Sequence, residues 1–186
     1  FQQFDASGNS RGTQNSYSYG HLTALKEAQR SSTVYYQATG MNVFGQFSSW
    51  TLGNGHTGTA RYDAKSGYLQ TLNVGLSGVS VQDHVYEYDG LGNLHARIDN
   101  NGGASVGGLS EVFTYDSLNR LKTVKFNTVS TLDVNYFDNG NMSSKSDVAS
   151  GGAYAYGVKN SQCSVTPGTH ALSGIGSTHK YCYDNR

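Results

Sequence analysis

Several residue patterns in this 186-residue chain could carry chemistry. Gly53, Gly55 and Gly58 spell GxGxxG. That spacing lets a backbone approach a phosphate when a strand leads through it into a helix N-terminus. Here TARYD follows, which reads as a strand, so an ordinary turn accounts for it better. Gly103, Ser105 and Gly107 spell GxSxG. A nucleophile elbow needs a strand-to-helix turn, and Ser105 sits in the Gly-rich stretch NNGGASVGGLS. The histidines, at 21, 56, 84, 95, 170 and 179, show neither HExxH nor HxH spacing, so they suggest no metal site. His170 and His179 could meet across a hairpin. Asp63, Asp89, Asp116 and Asp138 could pass for catalytic carboxylates, but each is explained by a turn of its own. Cys163 and Cys182 have no second pair to complete a zinc site. They form a disulfide in an oxidising compartment or stay as two thiols elsewhere. Asn141-Met142-Ser143 is a glycosylation sequon. No catalytic, cofactor-binding or metal-ligating constellation emerges, and the expectation is a non-enzyme.

The elements that would position these residues follow from composition. Thirteen basic residues balance thirteen acidic ones, without a Lys/Arg cluster. A nucleic-acid partner or an anionic membrane surface is therefore not expected. No apolar run approaches the roughly 18 residues of a membrane-spanning helix, and no signal peptide is visible. Fourteen Tyr and 24 Gly with a single Pro favour β-structure with many turns. Leu, Ile, Val and Phe are scarce, and tyrosine makes up the missing apolar mass, its ring burying area while its hydroxyl needs a partner.

A loose repeat organises the chain. Aromatic-Asp pairs occur at Phe4-Asp5, Tyr62-Asp63, Tyr88-Asp89, Tyr115-Asp116, Phe137-Asp138 and Tyr183-Asp184, with degenerate copies at Tyr19-Gly20 and Tyr156-Gly157. The clearest unit is YEYDGLGNLHARID. Tyr86 and Tyr88 lie two apart and so share a strand face. Asp89 starts a turn, Gly92 supplies the positive φ, and Leu94 opens the return strand. Other copies keep the chemistry with Asn119, Gly8, Gly67 or Gly140 in the glycine role, at slightly different turn lengths. The predicted class is all-β: consecutive antiparallel hairpins in one segment over residues 1–186, with a weaker repeat over 1–42. HLTALKEAQR, residues 21–30, is rich in helix formers but falls where a return strand is due, and is read as strand.

These residues resemble the YD-repeat, or RHS-repeat, family. The resemblance rests on YEYDGLGNLHARID, FTYDSLNRLKTV, YFDNGNMSSKSD, WTLGNGHTGTARYDAKSGYLQTL, YCYDNR and the stretch GTHALSGIGSTHKYCYDNR. It covers most of the chain from about Val43. The family includes bacterial RHS toxins, shell subunits of insecticidal toxin complexes and teneurins. It implies a spiralling β-sheet shell, enclosure of a cargo or toxin polypeptide, and export from a bacterial cell. Family shells are many times longer, and the chain reads as cut at both ends. The Asp-Pro-Gly motifs tied to self-cleavage in the family have no counterpart, since the one proline, Pro167, follows Thr166. Neither self-cleavage nor toxicity carries over.

The expected role is thus a structural wall segment. Its partners would be an enclosed polypeptide and neighbouring repeats, with homo-assembly through free strand edges, even as filaments, a further expectation. A carbohydrate- or surface-binding module is the alternative, with Trp50 and the tyrosine pairs as its platform.

Overall fold

A computed structural model describes residues 2–4, 10–28, 33–101, 108–148, 152–159, 161–176 and 179–184. Asp5, Gly8 and Ser105 lie outside the described residues. Every regular element among those described is a strand, so the all-β reading holds. The strands are β1 (Gln2–Phe4), β2 (Ser10–Ser18), β3 (His21–Glu27), β4 (Val34–Met41), β5 (Phe47–Leu52), β6 (Thr57–Tyr62), β7 (Leu69–Leu76) and β8 (Val79–Tyr88). They continue with β9 (Leu94–Asp99), β10 (Leu109–Tyr115), β11 (Leu121–Phe126), β12 (Val129–Tyr136), β13 (Met142–Lys145), β14 (Tyr154–Tyr156), β15 (Leu172–Ile175) and β16 (His179–Lys180). The ambiguous stretch at 21–30 supplies β3. Its helix formers yield because a return strand there completes two antiparallel ladders, and local propensity is weaker than tertiary pairing.

The chain forms two compact units, residues 1–87 with 97–109 and residues 88–96 with 110–186. In the first, each strand from β1 to β8 pairs antiparallel with its sequence neighbour. In the second, β10 to β13 pair in order, and β14 to β16 form a small sheet of their own. Strand order follows chain order within each sheet, as consecutive hairpins require.

Among the described residues the buried apolar ones are small or few. Ala24 and Ala60 serve the first unit, and Ala96, Val134, Cys163 and Ile175 the second. No described side chain is both large and fully buried. Tyrosine rings supply the missing area as half-buried plates on the sheet faces. Two connections, Tyr19-Gly20 and Ser77-Gly78, place both central residues at positive φ, the signature of a tight two-residue hairpin turn whose twist matches the strands. Asn127-Thr128 does the same at φ 46° and 73°, although threonine is poorly suited to that region.

Candidate functional site

A device the chain builds repeatedly is a tyrosine at the end of a strand followed by a five-residue turn. At Asp89 the backbone N–H donates to the Asn93 carbonyl at 2.9 Å, and the Gly92 N–H returns to the Asp89 carbonyl at 3.0 Å. Asp89 Oδ1 accepts the N–H groups of Leu91 and Asn93, each at 2.9 Å, and Oδ2 accepts the Asn93 amide at 3.0 Å. Gly92 has φ 87°, which a side chain would resist. Asp116 repeats the scheme. Its Oδ1 accepts from Leu118 and Arg120 N–H at 2.9 and 3.0 Å, and Oδ2 takes Arg120 Nε at 2.7 Å. Asn119 holds the glycine place at φ 59°, a region asparagine tolerates.

Asp63 serves a turn one residue longer. Its Oδ1 accepts from the Ser66 N–H at 2.7 Å, the Ser66 hydroxyl at 2.9 Å and the Lys65 N–H at 3.0 Å, with Gly67 at φ 72°. These hydrogen bonds favour the charged carboxylates. The Asn93 amide holds Asp89 below the ordinary carboxylate range. The Arg120 side chain does so for Asp116, and the Ser66 backbone and hydroxyl for Asp63. Such carboxylates are turn caps with their lone pairs committed, unlike the poised acid of a catalytic pair.

The hydrogen bonds also revise the repeat. In FDNGN the N–H of Phe137 bonds the Asn141 carbonyl and the Gly140 N–H bonds Phe137 O, each within 2.9 Å. Phe137 therefore occupies the place that Asp89 holds, and Tyr136 is the repeat tyrosine. Asp138 lies one residue past the capping position, and Asn139 Oδ1 caps the Asn141 N–H instead, at 3.1 Å. The pairing Phe137-Asp138 is a sequence coincidence one residue out of register.

A further copy lacks both signature residues. In MNVFGQ, Asn42 Oδ1 accepts the N–H of Phe44 and of Gln46 at 3.0 Å, with Gly45 at φ 77°. Met41 stands in the tyrosine place and Asn42 in the aspartate place. The signal available was Asx, then Gly three residues later.

Conversely, Tyr19-Gly20 is a two-residue turn with Tyr19 wholly exposed, so it is not a copy. Tyr156-Gly157 does sit in the repeat place. The Gly157 N–H bonds the Ala171 carbonyl at 3.2 Å, and residues 157–171 form an enlarged turn between β14 and β15.

What the tyrosines do emerges from register. Tyr62 pairs with Leu69, Tyr115 with Leu121, Tyr136 with Met142 and Tyr156 with Leu172, each next to a β-bulge. A bulge re-aims the side chain beside it. The hydroxyl then reaches the preceding hairpin, at the second residue after its turn glycine or asparagine. Tyr62 donates to Phe47 O at 3.1 Å, Tyr115 to Leu94 O at 2.8 Å and Tyr136 to Leu121 O at 2.9 Å. Tyr183 donates to Leu172 O at 2.9 Å. Each phenol thus fastens one repeat to the one before.

The residue after the turn glycine reaches the other way. Gln46 Nε2 donates to Gly67 O at 2.9 Å, and Asn93 Nδ2 to Asn119 Oδ1 at 3.2 Å. The guanidinium of Arg120 lies 4.2 Å from the centre of the Tyr136 ring, a cation–π contact. Tyr86 instead meets His84, ring to ring at 6.0 Å, and Tyr88 and Phe4 complete the aromatic positions in β8 and β1. The sequence pattern showed that tyrosines recur; the cross-repeat hydroxyl bond needed the register.

The remaining candidates separate. Trp50 is half-buried, with its indole over the backbone of its cross-strand partner Gly58, where a methyl group would overlap the ring. It is occupied by packing, and Gly58 is the third glycine of GxGxxG. That motif leads into β6, so no helix N-terminus is there to hold a phosphate. His170 Nδ1 lies 2.8 Å from Asn141 Oδ1, while His179 pairs with Ile175 in the ladder. Among the described residues no group of three His, Cys, Asp or Glu side chains could hold a metal. Cys163 and Cys182 form a disulfide with Cα atoms 5.2 Å apart. Asp184 follows Tyr183 just beyond it. An open cleft of about 490 Å³ lies against Phe137, Asp138, Asn141, Tyr154, Tyr156 and Thr169.

Comparison with solved structures identifies the architecture. The chain is similar to the crystal structure of TcdB2-TccC3-TEV, with a TM-score of 0.63 at 19% identity over 83% of its length. TcdB2-TccC3-Cdc42 gives 0.64 at 18% over 83%, and the Photorhabdus luminescens Tc holotoxin pore carrying a TccC3 mutation gives 0.61 at 19% over 77%. The chain has the fold of the YD-repeat shell proteins. It spans 8 to 10% of the solved chains it matches. No family model matches the sequence, and no curated protein matches it by sequence. Within the YD-repeat fold, the tyrosine bridges and capped turns are the couplings between successive repeats.

Proposed function

We propose that the chain is a non-enzymatic wall segment of a YD-repeat shell in a larger exported bacterial protein, and that the finished shell encloses a cargo polypeptide. The observation that carries this reading is the hydroxyl bridge from Tyr62, Tyr115, Tyr136 and Tyr183 to the hairpin before each of them. A unit that fastens to its predecessor and offers the same acceptor to its successor suits an extended wall. The small buried core supports the same reading, because a sheet gains stability by covering a face with a further layer. The partners on this reading are more repeats of the parent chain and the cargo within. Balanced charge suits a wall that must not grip its contents electrostatically.

The test is limited proteolysis of the parent polypeptide. A segment outside the repeats should resist protease while the repeats are folded, and become cleavable when Tyr115→Ala and Tyr136→Ala loosen the wall. Digestion of that segment at the same rate in both proteins would remove the enclosure reading.

A further inference from the structure

The disulfide joins two features that the repeat does not require. Cys163 lies in the enlarged turn 157–171 and is buried, at 6% exposure. Cys182 lies between Tyr181 and Tyr183, just past β16 in the following repeat, and is exposed. The bond therefore crosses from one repeat to the next, where the other couplings described are hydrogen bonds and the Arg120–Tyr136 cation–π contact. The strand it secures has slight backing of its own. β16 makes two ladder pairs, Gly174 with Lys180 and Ile175 with His179. Beyond them the Tyr181 N–H reaches Ser173 O at 3.2 Å, and the Tyr183 hydroxyl reaches Leu172 O at 2.9 Å. Beside this strand, Ser173, Gly174 and Ile175 of β15 are buried.

We propose that Cys163–Cys182 is a thiol-exchange site that clasps β16 onto β15, so that reduction uncovers the edge of β15 facing it. The inference does not depend on enclosure of a cargo. A dithiol reductant supplies the two electrons. Its thiolate attacks Sγ of Cys182, the exposed residue of the pair, forming a mixed disulfide. Cys163 leaves as thiolate and takes up a proton. The reductant's second thiol then displaces Cys182, which is protonated in turn, and the reductant departs as its own disulfide. Cys182 receives the attack because it is exposed whereas Cys163 is buried.

Once the loop between residues 163 and 182 is open, β16 regains its freedom. The entropy of a closed loop of that length corresponds to a shift on the order of a hundredfold in the opening equilibrium. The uncovered β15 then offers unpaired N–H and C=O groups to another strand. An oxidising exterior holds the clasp shut, and a reducing cytosol opens it.

The experiment is amide hydrogen exchange on the whole chain, purified under oxidising conditions, with and without dithiothreitol. The Tyr181 and His179 amides should exchange on the order of a hundred times faster after reduction. The Asp89 and Asp116 turn amides should be unchanged. The variant carrying both Cys163→Ser and Cys182→Ser should match the reduced chain and ignore the reductant. Equal protection before and after reduction would overturn the proposal, as would two free thiols in the oxidised preparation. Faster exchange throughout β10–β13 as well would also overturn it, because the disulfide would then support the whole unit instead of one strand.

Discussion

Replacing Tyr115 by phenylalanine isolates the bridge between repeats. The ring stays, so the half-buried area and the pairing with Leu121 are kept. What is lost is one hydroxyl that donates to Leu94 O at 2.8 Å in a partly buried setting. Burial holds the phenol's pKa above its ordinary value, consistent with a proton that is kept for donation. A hydrogen bond of this kind contributes about 1 kcal/mol net, and an acceptor left without its partner raises the loss to about 2 kcal/mol. For a cooperative unit of this size each kcal/mol lowers Tm by about 4–8 °C. Calorimetry of Tyr115→Phe should therefore show a clear fall, with Tyr136→Phe close to it because its hydroxyl makes the same bond to Leu121 O. Tyr19→Phe is the control. Its side chain is fully exposed in a tight turn, and the change should stay within about 0.5 kcal/mol. If Tyr115→Phe and Tyr19→Phe melt together, the bridging argument is wrong and the repeat tyrosines act through their rings alone.

Further outcomes follow from the turns and the sheet. Thr128→Gly should stabilise the chain by about 1 kcal/mol, because Thr128 sits at φ 73°; unchanged denaturant midpoints would refute the strain. Gly58→Ala should cost about 1–3 kcal/mol through overpacking against the Trp50 indole, and Trp50→Leu in the same chain should recover part of that loss in urea melts. Asp63, Asp89 and Asp116 have folded pKa values below their ordinary 3.8. Their contribution is present above the unfolded pKa and is lost as pH falls through the folded pKa. The chain should lose stability below about pH 4, and Asp63→Asn with Asp116→Asn should flatten that acid slope; identical profiles for variant and parent would count against the capping role.

The sequence alone determined the class of structure and the chemistry of its turns. Period-two aromatics can only share a face in a strand, and Asp followed three residues later by Gly or Asn closes a five-residue turn from local hydrogen bonds, as at Asp89 and Asp116. These features depend on neighbours in the chain, so they can be read from the chain. The ambiguous 21–30 stretch was resolved by where a return strand was due, since its own propensities pointed the other way.

Tertiary structure decided what depends on register between strands. The bulges shift each tyrosine by one residue against its return strand, and only then does its hydroxyl meet the carbonyl of the hairpin before. A one-residue ambiguity in FDNGN is invisible in composition, yet it moves Tyr136 into the repeat place and Asp138 out of it. Met41-Asn42 joins the repeat without either signature residue because the backbone needs an acceptor and a positive φ, which Asn42 and Gly45 provide. The two cysteines were compatible with a disulfide or with free thiols. The folding of the enlarged turn back against the next strand brings their Cα atoms to 5.2 Å, because that distance is set by how β14, β15 and β16 pair and not by the residues between them.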